Sequence, residues 1–202
     1  MIKEILIASV QKAIVKQSEI TQDSIKLVHP QVVSDEIAKV YSQIIKTFYS
    51  SNVNLVSSDL SYYSKKYDQP VKKTDAGVFY VDLPVRPIGL KNNLGVRSVK
   101  PVDGDFSFVR SSEGELETLR SLEIYRMARK AYYYHEPGKL VFDFPCAEYS
   151  LVPAVTIRLL PHFEDFDDKD NIEFPMGEME ATTMVLQAMG YRQTDNVNDD
   201  VR

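Results

Sequence analysis

The chain has 202 residues, 44% hydrophobic and 26% charged, which allows one large domain with a real core and excludes wholesale disorder. A single cysteine, Cys146, excludes an intrachain disulfide and any multi-cysteine metal site. The net charge of −5, with a pI near 5.3, argues against a free-standing DNA binder, and the apolar stretch from Ile5 to Val10 is cut by Gln11, Lys12 and Lys16 before it reaches the length of a signal-peptide core or a bilayer span, so no membrane partner is expected.

Ile2, Ile5, Leu6, Ser9, Val10 and Ala13 recur at helical spacing and predict an amphipathic helix over residues 2–16. Residues 17–33 read as a polar connection ending at His29-Pro30, where the proline disfavours helix at the residue before it. Ser34 is the expected cap of a second helix, with Asp35 and Glu36 at the positive end of its dipole and Ile37, Val40, Tyr41, Ile44, Ile45 and Phe48 on one stripe; it should end near Ser51-Asn52. Residues 59–67 read as helical or turn-like, and 77–83, β-branched and aromatic, as a strand. Residues 96–101 and 106–110 read as further strands joined into a hairpin through Asp103-Gly104. Leu116, Leu119 and Leu122 predict a short helix over 113–125, with 122–128 open to an extended reading.

Two β-prone runs flank Pro137-Gly138, the pair that fills the centre of a type II turn, so 131–142 is a predicted hairpin. Residues 155–160 read as a strand closed by Pro161, and 176–189 as a helix stopped by Gly190. Residues 193–202 have almost no apolar content and should be flexible when the protein is alone. The expected architecture is α+β, with helices at both ends of the chain and a central antiparallel β region containing hairpins: one domain over 1–190, then a C-terminal docking tail over 191–202.

Candidate chemistry is sparse. Glu164, Asp165, Asp167, Asp168, Asp170 and Glu173 form the densest polar cluster, with oxygens that suit Ca²⁺ or Mg²⁺, but Asp170 or Glu173 stands where a calcium loop needs glycine; a solvated acidic loop is the simpler reading. His135-Glu136 opens like a zinc-protease helix, yet Lys139 takes the place of the second histidine, so His29, His135 and His162 read as structural. No nucleophile elbow surrounds a serine, and Gly89 and Gly95 do not lead into a phosphate loop. Asp82 and Asp143 sit at strand ends without the Glu-x-Lys that a metal-dependent nuclease would add.

Arg120, Arg126, Arg129 and Lys130 stand among Glu115, Glu117 and Glu123, which favours salt bridges or an intersubunit contact over phosphate binding. In Tyr132-Tyr133-Tyr134, strand alternation puts Tyr133 on the face opposite its neighbours, which suits a core plus an interface better than a base-stacking platform. Twelve tyrosines and nine phenylalanines with no tryptophan fit an interface-rich protein or ordinary strand composition equally well. No catalytic, cofactor-binding or metal-ligating residue is assigned, and neither a cofactor nor an enzymatic activity is expected.

Charge is spread unevenly: residues 1–110 carry 15 Lys/Arg against 11 Asp/Glu, and 111–202 carry 9 against 18, or +4 and −9. Unlike patches attract, so a molecule with two such ends suits head-to-tail docking on copies of itself. The helix from Ser34, the stretch Asp59-Leu60-Ser61-Tyr62-Tyr63 leading to residues 78–84, the run Gly95-Val96-Arg97-Ser98-Val99, the hairpin region 123–142 and the tail Asp195-Asn196-Val197-Asn198-Asp199 follow in an order that resembles the ring, or head-to-tail connector, proteins of tailed bacteriophages, especially crAss-like podoviruses. The resemblance is one of layout over most of the chain. It implies a structural virion protein in the neck between portal and tail, made in the bacterial host cytoplasm. It also implies a homo-oligomeric, dodecameric ring in contact with the portal and other neck or tail proteins, with DNA passing through its lumen without specific binding. In such a ring the hairpin and tail would dock on neighbours, and Asp165, Asp167 and Asp168 would repel DNA from the channel wall. Two other classes stay open: a metal-dependent phage nuclease or hydrolase using the acidic 164–173 loop, and a nucleic-acid-binding accessory protein using the 120–130 basic group.

Overall fold

A computed structural model of the chain describes residues 2–21, 28–51, 63–90, 94–104, 106–122, 125, 130–144, 152–175 and 177–191. The fold is α+β, with helices at both ends of the sequence and mainly antiparallel strands between them; a further helix stands among the strands. The chain divides into two compact units. Unit 1 joins Met1–Leu55 to His162–Arg202, and unit 2 is Val56–Pro161. Because both ends of the chain build unit 1, no single cut in the sequence separates the two. Of the tail expected over 191–202, all but Tyr191 lies outside the described residues.

Unit 1 contains α1 (Lys3–Thr21), α2 (Pro30–Ser51) and α4 (Glu178–Ala188), the last two separated in sequence by all of unit 2. Leu6, Val10 and Ile14, four residues apart on one side of α1, and Val33, Ile37, Tyr41, Ile44 and Ile45 of α2 are fully buried. α1 outruns its predicted end because Lys16, Gln17 and Glu19 are good helix formers and neither proline nor glycine interrupts them. α2 starts earlier than expected, and Ser34 is not its cap. Pro30 takes the first helical position, where its missing N–H is no loss, and the ring Nδ1 of His29 accepts the Gln31 N–H at 3.2 Å. The His29 carbonyl also accepts Val32 N at 3.0 Å.

The Tyr41 ring, 1% exposed, is the hub of unit 1: its centroid lies 6.2, 6.0 and 5.6 Å from those of Phe163, Phe166 and Phe174. These three phenylalanines come from the segment 162–175, which opens with a 3-10 turn at Phe163–Asp165. The same segment satisfies the start of α1, since Lys3 N donates to the Asp170 carbonyl at 3.1 Å and Glu4 N to that of Asp168 at 3.2 Å. Buried Lys3 extends its Nζ to the Phe166 carbonyl at 2.5 Å, over the Phe163 ring.

Unit 2 holds β1 (Lys65–Pro70), β2 (Lys72–Lys73), β3 (Phe79–Asp82), β4 (Val96–Pro101), β5 (Val109–Arg110), α3 (Glu113–Arg120), β6 (Tyr132–Glu136), β7 (Lys139–Asp143) and β8 (Ala154–Leu159). They form a three-stranded sheet, β1-β8-β4, and a five-stranded sheet, β2-β3-β7-β6-β5. Val155, Ile157 and Leu159 of β8 alternate inward and join Val96, Val99, Val81, Tyr133, Leu140 and Phe142 in one core, so the two sheets pack on each other. Each such side chain contributes about 1.5–3 kcal/mol when fully buried.

The predicted 131–142 hairpin is present as β6 and β7, with Gly138 at φ +77° in the turn, where only glycine is at ease. Three expectations are corrected. Residues 65–67 are extended, not helical, because β1 pairs with β8 over Lys65 to Pro70; residues 59–62 lie outside the described set. Residues 96–101 and 106–110 do not form a ladder through Asp103-Gly104: β4 pairs with β8, and β5 shrinks to two residues that pair in parallel with β6. The helix expected to reach 125 stops at Arg120.

Candidate functional site

The hairpin β6-β7 carries the groups from which a site could be built. Residues 83–90, an apolar run broken by Pro84 and Pro87, fold beside the Pro137-Gly138 turn and leave a concavity of about 580 Å³ that is also lined by Gly95 and His135. Gly95 is required there: a Cβ would stand 2.4 Å from the Ile88 carbonyl oxygen, and the Gly95 carbonyl accepts Leu160 N at 2.8 Å. A second concavity, about 510 Å³, is lined by Arg110, Ser111, Ser112, Glu113, Glu115, Tyr134, His135 and Glu136. Both lie within unit 2, and His135 lines both.

His135 Nε2 is buried and has no hydrogen-bond partner among the described residues. Burial and the nearby Arg110 guanidinium hold its pKa below the usual histidine value, so the ring is neutral at pH 7. Arg110 is itself fixed, its Nε donating to the Tyr133 hydroxyl at 3.2 Å and its terminal nitrogen to the Val96 carbonyl. The serine hydroxyls of the second concavity are committed to the start of α3. Ser112 Oγ accepts the Glu115 N–H at 3.2 Å, and Glu115 Oε2 accepts Ser112 N at 2.9 Å and Ser111 Oγ at 3.0 Å, a capping box. These bonds lower the Glu115 pKa. The arrangement fixes a helix end; it presents no activated nucleophile.

The residues weighed from sequence are placed as follows. Asp143 accepts Arg120 Nε at 2.8 Å, which raises the Arg120 pKa, and Asp82 accepts Lys72 Nζ at 2.5 Å. Lys130 is exposed; Arg126, Arg129, Glu123 and Cys146 lie outside the described residues. Tyr133 enters the sheet core, while Tyr132 stacks on Tyr125 at 5.6 Å beside Leu116 of α3, so the opposite-face reading of the tyrosine run holds. Burial pushes the Tyr125 and Tyr134 phenols up. His29 caps α2, and the His162 carbonyl accepts Asp165 N at 3.0 Å at the start of the 3-10 turn.

In the acid-rich segment, Glu164, Asp167 and Asp168 are exposed, and Asp170 Oδ2 accepts Asp167 N at 2.8 Å. Among the described residues, no three His, Cys, Asp or Glu side chains converge as a metal would need. No helix among them is long and apolar enough to cross a membrane. The two concavities went unread in the sequence, although the proline-punctuated run 83–90 carried a signal for the first. Compared with known proteins, the sequence matches no family model and no curated protein.

Proposed function

We propose that the protein is a structural ring component of the head-to-tail connector of a tailed bacteriophage, assembled as a homo-oligomer between portal and tail proteins in the virion. The observation that carries this reading is charge by unit. Unit 1 holds 9 Lys/Arg against 16 Asp/Glu, or −7, and unit 2 holds 15 against 13, or +2. A subunit whose two folded parts differ in sign suits heterologous contacts, in which one surface meets a different surface of the next copy, and such contacts make a ring when the rotation between copies closes on itself. The resemblance in segment order supports the same reading and supplies the neck location and the dodecameric count. The β6-β7 hairpin, with its exposed Pro137-Gly138 tip, is a docking element of the kind a ring uses.

Electron microscopy of assembled particles tests the proposal: density for this chain in a ring below the portal is the expected result, and its absence from mature particles overturns it. Incubation with DNA and Mg²⁺ tests the enzymatic alternative, for which cleavage would be decisive. Salt-dependent retention of DNA by the pure protein would instead mark a nucleic-acid-binding accessory protein.

A further inference from the structure

The outward face of the β1-β8-β4 sheet carries cations that the fold does not need. In register, Lys66 of β1 stands directly opposite Arg158 of β8, and Arg158 opposite Ser98 of β4; two residues along, Asp68 stands opposite Thr156, and Thr156 opposite Lys100. Positions two apart share a face, so these six residues form one patch on the side away from the core. Lys66, Asp68 and Lys100 are exposed, and Ser98, Thr156 and Arg158 are half-buried.

Like charges placed directly across a strand pair repel and cost stability, so packing gives no reason for Lys66 opposite Arg158. Asp68, the carboxylate in the patch, already accepts the Thr156 hydroxyl at 2.5 Å. Lys39, Lys72, Arg120 and Lys139 each have an ion pair, whereas Lys66, Lys100 and Arg158 have none with another described residue.

We propose that this sheet face receives the acid-rich segment 164–173 of a second copy of the chain. That segment sets six carboxylates against one cation, Lys169. It is held in shape before docking, because Phe163, Phe166, Ile172 and Phe174 are buried in unit 1 and the Asp168 and Asp170 carbonyls bind the start of α1. A pre-formed loop loses little freedom when it docks. The phosphates of a nucleic acid would also meet these cations, but the chain's own acidic unit supplies a complementary surface that is already fixed in shape. The contact deepens the ring reading and rests on it for the second copy. It assigns the 164–173 loop to the seam between subunits instead of the channel wall.

The test uses two double variants of the full chain, Lys66→Glu with Arg158→Glu on the face and Glu164→Lys with Asp168→Lys on the loop, followed with wild type by light scattering at low salt. Wild type assembles; each variant alone assembles at least about tenfold more weakly. Mixed, the two variants associate with each other where neither does so alone, since the intact face of one meets the intact loop of the other. Lys66→Glu alone removes the repulsion within a copy, so it weakens assembly with no loss of thermal stability. Variants that assemble as well as wild type overturn this interface and leave the ring reading standing. Wild type that stays monomeric overturns the ring reading and the interface with it. A face variant that loses DNA binding but assembles normally shows nucleic acid to be the occupant and overturns the proposal.

Discussion

Unit 1 and unit 2 bury their cores by different geometries, and the difference decides where each is fragile. In unit 1, the buried stripes of α1 and α2 are joined by one aromatic hub on α2, Tyr41 with three phenylalanines contributed from far along the chain. In unit 2 the load is spread over two sheets, with alternate residues of β8 at the centre and close backbone approaches, such as Gly95 against Ile88, setting the spacing. A hub concentrates the cost of one lost side chain; a sandwich concentrates it where there is no room to add one.

Tyr41→Ala should give the largest effect, about 3–5 kcal/mol by denaturant unfolding, because a fully buried ring leaves a cavity among other rings. Hydrogen exchange should show protection falling first in α1, α2 and α4; an equal loss in β6 to β8 would mean that the two units do not respond separately. Gly95→Ala is the counterpart in unit 2, expected to cost about 1–3 kcal/mol from overpacking, with protection falling in β4 and β8.

A pH titration sharpens the comparison, since the depressed pKa of His135 belongs to unit 2. The folded pKa lies below the unfolded value of about 6.5, so the contribution of the neutral ring is complete above that value and is lost as pH falls through the folded pKa. Stability should therefore decline in mildly acidic buffer, and His135→Leu should flatten the decline. Unfolding followed as pH is lowered further should show a second loss from Glu115, whose folded pKa is also depressed: its contribution is present above the usual carboxylate value and disappears as pH falls through the lowered one.

Ser112→Ala, which breaks the capping box, should cost about 1 kcal/mol. Arg120→Ala, removing a solvent-facing ion pair with Asp143, should cost at most about 1 kcal/mol, and a cost near that of Tyr41→Ala would show that the pair organises the outer face of the five-stranded sheet.

What was legible in the chain was what neighbours in sequence decide. The stripe from Ile37 to Ile45 predicts α2 from its own period, and Pro137-Gly138 predicts its hairpin from turn geometry. The start of α2 was ambiguous because Ser34 and His29-Pro30 both offer a beginning, and the His29 ring nitrogen acts as the cap. The Ser112-x-x-Glu115 box is legible from its spacing alone. β1 was hidden, since Lys-Lys-Tyr-Asp-Gln-Pro becomes a strand only by lying along β8, some ninety positions away by the Thr156 to Asp68 bond. The concavity beside His135 was hidden for the same reason, as it needs residues 83–90, Gly95 and the hairpin tip brought together.

The sequence by itself determined the α+β class, the local elements with a clear period, the Pro-Gly turn and a total charge of −5. Tertiary structure alone decided that β4 and β1 flank β8, that β5 runs parallel to β6, and that the N-terminal helices join the C-terminal segment. That last choice turns halves of +4 and −9 into units of +2 and −7, and the pairing of β1 with β8 brings Lys66 opposite Arg158 on one sheet face. Local periodicity fixes which way a side chain points from its own element, but partners far apart in the chain are selected by the burial they gain together, and that is a property of the whole fold.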